Sequence, residues 1–152
     1  MYKAEQEMPQ TLRGRMYRRD AYCPRERRVL VLQTGVAGLL HYAQSEEEQA
    51  ELRAIAPGTE LLLFREPENE HDRWAIAVYL TEERKIGFIS RFKNETIARL
   101  MDAGKRFVAV VDDPAADPAA QKIVEKEQLR RGRRAPTESM ALPLSVYLIE
   151  EG

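Results

Sequence analysis

The sequence predicts a mainly β (α+β) fold, a small, partly open β-barrel of about six strands with two short helices. Three observations carry this. Apolar runs of strand length recur near residues 29–32, 60–64, 75–80, 85–89, 107–111 and 142–149. The connections between most of them are short, and two helix-like segments interrupt the series in an order that suits a capped barrel better than a doubly wound sheet. At 152 residues and 43% hydrophobic content, the chain holds enough apolar surface for one core and too little for two.

The first strand, Val29-Leu30-Val31-Leu32, continues towards Thr34-Gly35-Val36-Ala37-Gly38. Glycines inside such a run mark a bulge or a sharp barrel bend. Ser45-Glu46-Glu47-Glu48 has the spacing of a capping box, which predicts a helix running to Ala54 or Ile55 and stopped by Pro57-Gly58. Ala75–Leu80 and Lys85–Ile89 flank a tight charged turn and form a hairpin. Asn94 or a neighbour is expected to cap a second helix, in which Ile97, Leu100 and Met101 share a buried face and Gly104 is the stop. Pro143 suits the start of an edge strand that closes the sheet.

Two segments lie outside this frame. Residues 1–28 carry eight Lys/Arg against four Asp/Glu, with Pro9, Gly14 and Pro24 and no apolar stripe, and read as a flexible basic arm. Residues 113–141 read as a charged insertion between the last two strands: a Pro/Ala linker, a short helix over Gln121–Leu129, and a basic knot of Arg130, Arg131, Arg133 and Arg134. Between them, residues 29–112 carry ten basic residues against fourteen acidic ones. A protein gripping a long stretch of phosphate backbone needs a basic stripe on its folded part, and these totals do not supply one.

A single cysteine excludes an internal disulfide framework, and no apolar run approaches the roughly 18 to 20 residues of a membrane helix. With no apolar stretch behind the charged N-terminus, a cytoplasmic protein is expected.

The chemistry concentrates in Glu66-Pro67-Glu68-Asn69-Glu70-His71-Asp72-Arg73, the loop ahead of the hairpin. Pro67 fixes its own backbone, and Asn69 and Asp72 are suited to fold back onto nearby N–H groups, which makes a rigid turn. The same amide and carboxylate at a rim can receive a hydroxyl or a base edge, and the two roles are compatible.

The pattern of Leu63, Arg65, Glu66, Pro67, Asn69, Asp72, Ala75, Ile76 and Val78, followed by Lys85-Ile86-Gly87-Phe88, Arg91, Ile97, Ala98, Leu100 and Gly104, resembles the HIRAN domain. The resemblance covers about residues 29–112 and resumes at 142–149. It implies a small barrel related to the OB-fold, fused to Swi/Snf-type helicases in eukaryotes and found as short stand-alone proteins in bacteria. In the eukaryotic members it implies a reader of single-stranded DNA 3′ ends serving replication-fork remodelling and repair.

Carried onto this chain, the resemblance makes Asn69 and Asp72 contacts to the terminal nucleotide, Asp72 being suited to accept from a 3′-hydroxyl. His71 stands in place of a stacking tyrosine, Phe88 lies at the rim and Arg91 suits a phosphate. Val31 and Leu32 stand where the eukaryotic readers have Arg-Tyr, which removes one cation and one ring. Trp74, the lone tryptophan, either replaces that surface or packs half-buried. The expected function is a non-catalytic nucleic-acid-binding module with single-stranded DNA as partner and no cofactor. The alternatives are a protein-interaction adaptor using the arm or the insertion, and a metal-dependent phosphodiesterase built on Glu66, His71 and Asp72.

Overall fold

The computed structural model describes residues 26–131 and 141–151. The chain divides into two units, Arg28–Ile149 and a smaller one made of Met1–Arg27 with Glu150–Gly152. In the smaller unit, Arg27 Nη2 pairs with Glu150 Oε1 at 2.8 Å. Most of the arm, and the knot residues Arg133 and Arg134, lie outside the described residues, as do the side chains of Arg130 and Arg131.

Six strands form a closed barrel: β1 (Glu26–Ala37), β2 (Glu60–Arg65), β3 (Ile76–Thr81), β4 (Arg84–Ile89), β5 (Arg106–Val111) and β6 (Pro143–Glu151). Their order around the barrel is β1-β4-β3-β2-β5-β6. The barrel is closed where the sequence pointed to a partly open one, because β1 is long enough to reach β4 at its far end, with Val36 opposite Ile89 and Ala37 opposite Phe88. Near that end the Val36 N–H also donates to the Leu142 carbonyl at 3.1 Å.

The core alternates as half-buried strands require. Leu61 points inward while Leu62 and Phe64 point out. Ile76, Val78, Ile86, Ile89, Leu144 and Val146 fill the interior, with Leu39, Leu52, Ile97 and Ala98 from the helices. On the outer face Phe64 meets Tyr79 edge-on, ring centroids 5.0 Å apart, as a diagonal cross-strand pair.

Four helices are described: α1 (Leu39–Tyr42), α2 (Glu46–Arg53), α3 (Glu95–Asp102) and α4 (Pro118–Arg131), of which α2 and α3 are the two expected on the barrel, α4 is the helix expected in the insertion, and α1 is additional. The capping box of α2 is complete, with Ser45 Oγ accepting from the Glu48 N–H at 3.0 Å and Glu48 Oε1 accepting from the Ser45 N–H at 3.2 Å. A single turn, α1, follows Gly38, whose φ of 80° swings the chain off β1. The Pro/Ala stretch is ordered by its aspartates. Asp113 Oδ1 accepts from the Ala115 N–H, and Asp117 Oδ1 accepts from the Ala119 N–H, so that Asp117 caps α4 with Pro118 in its first turn. The α4 helix thus begins three residues before the expected Gln121.

Gly87 sits where β4 crosses β1. A Cβ there would fall on the Ala37 carbonyl oxygen and lie 2.5 Å from Val36 Cγ1. Gly87→Ala is expected to destabilise the barrel by about 1–3 kcal/mol through overpacking, read as a lower midpoint in urea or thermal unfolding.

Candidate nucleic-acid interface

Arg65, the last residue of β2, fastens the loop that follows it. Its Nε and Nη2 donate to the two carboxylate oxygens of Asp102 on α3, at 2.9 and 3.1 Å. Nη1 donates to the Ala75 carbonyl at 2.7 Å and Nη2 also to the Arg73 carbonyl at 3.1 Å. The Glu66 N–H donates to the same Ala75 carbonyl, which closes the neck of the loop. Hydrogen bonding to Arg65 holds the Asp102 carboxyl below its usual range.

Within the loop the polar side chains organise the backbone. Asn69 Oδ1 accepts from the N–H groups of His71 and Asp72, at 2.8 and 3.0 Å, and its amide donates to Glu66 Oε1 at 3.0 Å. Asp72 Oδ1 accepts from the Trp74 N–H at 2.9 Å, and Oδ2 accepts from Asn94 Nδ2 at 2.8 Å. Asn94 or a neighbour is the cap expected for α3, and Asn94 is the N-cap. Its amide is turned to Asp72, and its carbonyl oxygen, buried, has no hydrogen-bond partner among the described residues. Each Asp72 oxygen keeps a lone pair beyond these bonds, since a carboxylate offers about four acceptor sites.

At the entry to the loop, Glu66 Oε2 accepts from Lys85 Nζ at 2.6 Å. Lys85 also lies over Phe88, 4.4 Å from its centroid, and over Tyr42 of α1 at 5.4 Å. Tyr42 tilts against Phe88 at 6.1 Å, and His41 meets Tyr42 edge-on at 4.9 Å. Phe88 is thus joined to the loop through a cation shared with Glu66. Tyr42 and His41 belong to this aromatic corner, and no local pattern in the sequence marked them.

Trp74 is half-buried, with Arg99 at 4.4 Å, Arg73 at 4.7 Å and Arg65 at 5.9 Å from its ring. Three guanidinium groups thus lie near this ring, which is also packed against the core. His71 is exposed at the loop tip. Arg91 lies in the turn after β4, its guanidinium 5.3 Å from the centroid of Phe92, and the same turn leads into Asn94.

The six sequence-derived site residues therefore fall into three places. Asn69, His71, Asp72 and Trp74 share the loop, Phe88 reaches it through Lys85 and Glu66, and Arg91 lies three residues before the Asn94 that holds Asp72. Val31 is exposed and Leu32 half-buried on β1, with neither cation nor ring. Among the described residues no group of three or more His, Cys, Asp or Glu side chains is arranged to hold a metal ion, and no helix is long and apolar enough to cross a membrane.

Burial pushes the Glu66 carboxyl up, but hydrogen bonds from Lys85 and Asn69 outweigh it and leave the group below its ordinary value of 4.5. A depressed carboxylate adds stability that is fully present above its unfolded pKa and is lost as pH falls through the folded one. Acid titration of wild type is therefore expected to show a loss of stability below about pH 4.5 that is reduced in Lys85→Met, measured by urea unfolding at several pH values.

The family model of the HIRAN domain matches residues 29–130. A crystal structure of a protein from Lactobacillus plantarum is similar, with 27% identity, a TM-score of 0.56, and coverage of 83% of this chain and 99% of that one. The crystal structure of the HIRAN domain of human HLTF shares the fold at 18% identity and a TM-score of 0.51, over 80% of this chain and 78% of that one. No curated protein matches the chain. With the family pattern running from β1 into α4 and covering more than half of the chain, the chain belongs to the HIRAN domain family.

Proposed function

We propose that this protein is a non-catalytic nucleic-acid-binding module that reads the 3′ end of single-stranded DNA, in the service of repair or replication-fork processing. Membership in the HIRAN family supports a nucleic-acid-binding module. The observation that carries the finer reading is the Asp72 carboxylate, fixed from two sides by the Trp74 N–H and the Asn94 amide on a loop whose neck Arg65 closes. A preorganised carboxylate at a rim accepts a strong, charge-assisted hydrogen bond from a terminal hydroxyl and repels a terminal phosphate. In this reading Asn69 sets the turn that presents Asp72, and exposed His71 stacks on the terminal base. Phe88, in its aromatic corner, supports the neighbouring surface, and Arg91 takes the phosphate.

One feature favours a protein-interaction adaptor as the second reading. Val29, Leu30 and Val31 on β1 are all more than two-fifths exposed, an apolar segment that ends at Val31, the first of the two positions where the resemblance puts Arg-Tyr in the eukaryotic readers.

The test is fluorescence anisotropy of a short single-stranded DNA at low salt, comparing a 3′-hydroxyl with a 3′-phosphate end. Wild type is expected to bind the hydroxyl end more tightly. Asp72→Asn keeps the shape, and the Asn94 amide can turn its unpaired oxygen to the new N–H, so this variant tests charge rather than folding. It is expected to weaken hydroxyl-end binding by about tenfold and to erase the discrimination. Equal wild-type affinity for both ends would remove Asp72 from end recognition, and no binding to either would place the adaptor reading first. Deleting residues 1–25, which leaves β1 whole, is expected to flatten the salt dependence of binding, because those residues hold six basic side chains against three acidic ones.

A further inference from the structure

Phe92 is the most exposed large hydrophobic residue described, at 84%. It stands in the turn between β4 and α3 with Arg91 on one side and Lys93 on the other. Behind it a groove of about 440 Å³ runs between this turn and α4, with Gly35, Ser90 and Leu142 along its base and Ile123 and Lys126 on the α4 wall. Gly35 fixes how near α4 comes, since a Cβ there would lie 3.2 Å from Ile123 Cγ2. Lys93 and Lys126 line the groove, and neither has an ion-pair partner among the described residues, whereas the acid on the α4 wall, Glu127, is already engaged.

An exposed ring flanked by cations is costly as a packing device, since it buries little and must be kept in water. It suits a surface on which a base stacks while its phosphate meets a positive charge. The volume falls within the range of small-ligand clefts, too small for a duplex and sufficient for a nucleotide. Position argues the same way. Lys93 immediately precedes Asn94, whose amide holds Asp72, so the turn of residues 91–93 is tied directly to the residue that fixes Asp72.

We propose that the groove between the 91–93 turn and α4 is a second nucleotide subsite, in which a base 5′ of the strand end stacks on Phe92 and its phosphate meets Lys93 and Lys126. This rests on the end-binding reading above and adds the direction of the strand. It also gives α4 a function, as the outer wall of the channel, and moves the stacking surface absent at Val31 and Leu32 to a residue outside the six assigned from the sequence.

The experiment compares wild type, Phe92→Ala and the double variant Lys93→Gln/Lys126→Gln for binding of a single-stranded DNA of about eight nucleotides, with either a 3′-hydroxyl or a 3′-phosphate. Phe92 is so exposed that its truncation leaves the fold intact, which thermal unfolding verifies. Phe92→Ala is expected to weaken binding roughly 5- to 30-fold while the preference for the hydroxyl end stays as in wild type. The lysine variant is expected to weaken binding and lower its salt dependence. Unchanged affinity in both variants, with wild type still discriminating the ends, overturns the subsite and leaves the end-binding reading standing. Weakened binding in the variants without end discrimination in wild type supports the groove and removes the end reader. A wild type that binds neither DNA overturns both.

Discussion

The site depends on the placement of one guanidinium. Arg65 is only 11% exposed, and it serves a carboxylate on α3 and two carbonyls of the loop at once. A planar fork of fixed donors can do this, whereas a lysine ammonium cannot keep both oxygens of Asp102 and the Ala75 carbonyl in register. The consequence passes along the chain. With the neck closed, Asn69 folds onto His71 and Asp72, Asp72 reaches Trp74 and Asn94, and α3 is tied to β2 through the same residue that shapes the loop. The ring of Trp74 fills the space between these elements, with Arg73 and Arg99 laid over it.

Charge has to be read by place rather than by sum. Residues 29–112 are net acidic, yet several of their acids are spent within the fold. Glu66 is held by Lys85, Glu51 and Glu48 by Arg84, Asp102 by Arg65 and Glu95 by Arg99. Exposed pairs such as Glu95–Arg99 contribute little to stability, but they cancel acidic and basic charge alike. The cations that remain without such partners among the described residues include Arg91 and Lys93 in one turn and Lys126 across from it. A modest net charge is thus compatible with a local positive surface beside the loop.

Much of the architecture was legible because it rests on local rules. The Ser45–Glu48 box, the strand runs, and the stop of α3 at Gly104, with a φ of 98°, each follow from residues within a few positions of one another. The α1 turn was not legible, since four residues show no periodicity, and its start is set by the left-handed Gly38. The Asp113-Pro114 and Asp117-Pro118 pairs had the composition of a linker, and their capping role was readable only by treating each aspartate as a backbone acceptor. Closure of the barrel depends on pairings between strands remote in sequence. In the site, the turn around Asn69 and Asp72 followed from side-chain chemistry. The partners that fix its position, Asn94, Lys85, Tyr42 and Asp102, come from other elements and leave no mark at the loop itself.

The lone tryptophan gives this module an intrinsic optical signal. Trp74 borrows its backbone hydrogen bond from Asp72 and its ring contacts from α3, so its indole senses the loop, the helix and the charge around them together. Emission excited at the indole band therefore arises from one place, without a second tryptophan to dilute it. Any molecule that reorders the arginines over that ring changes the emission directly. A rearrangement of the loop is thus open to observation without an attached dye.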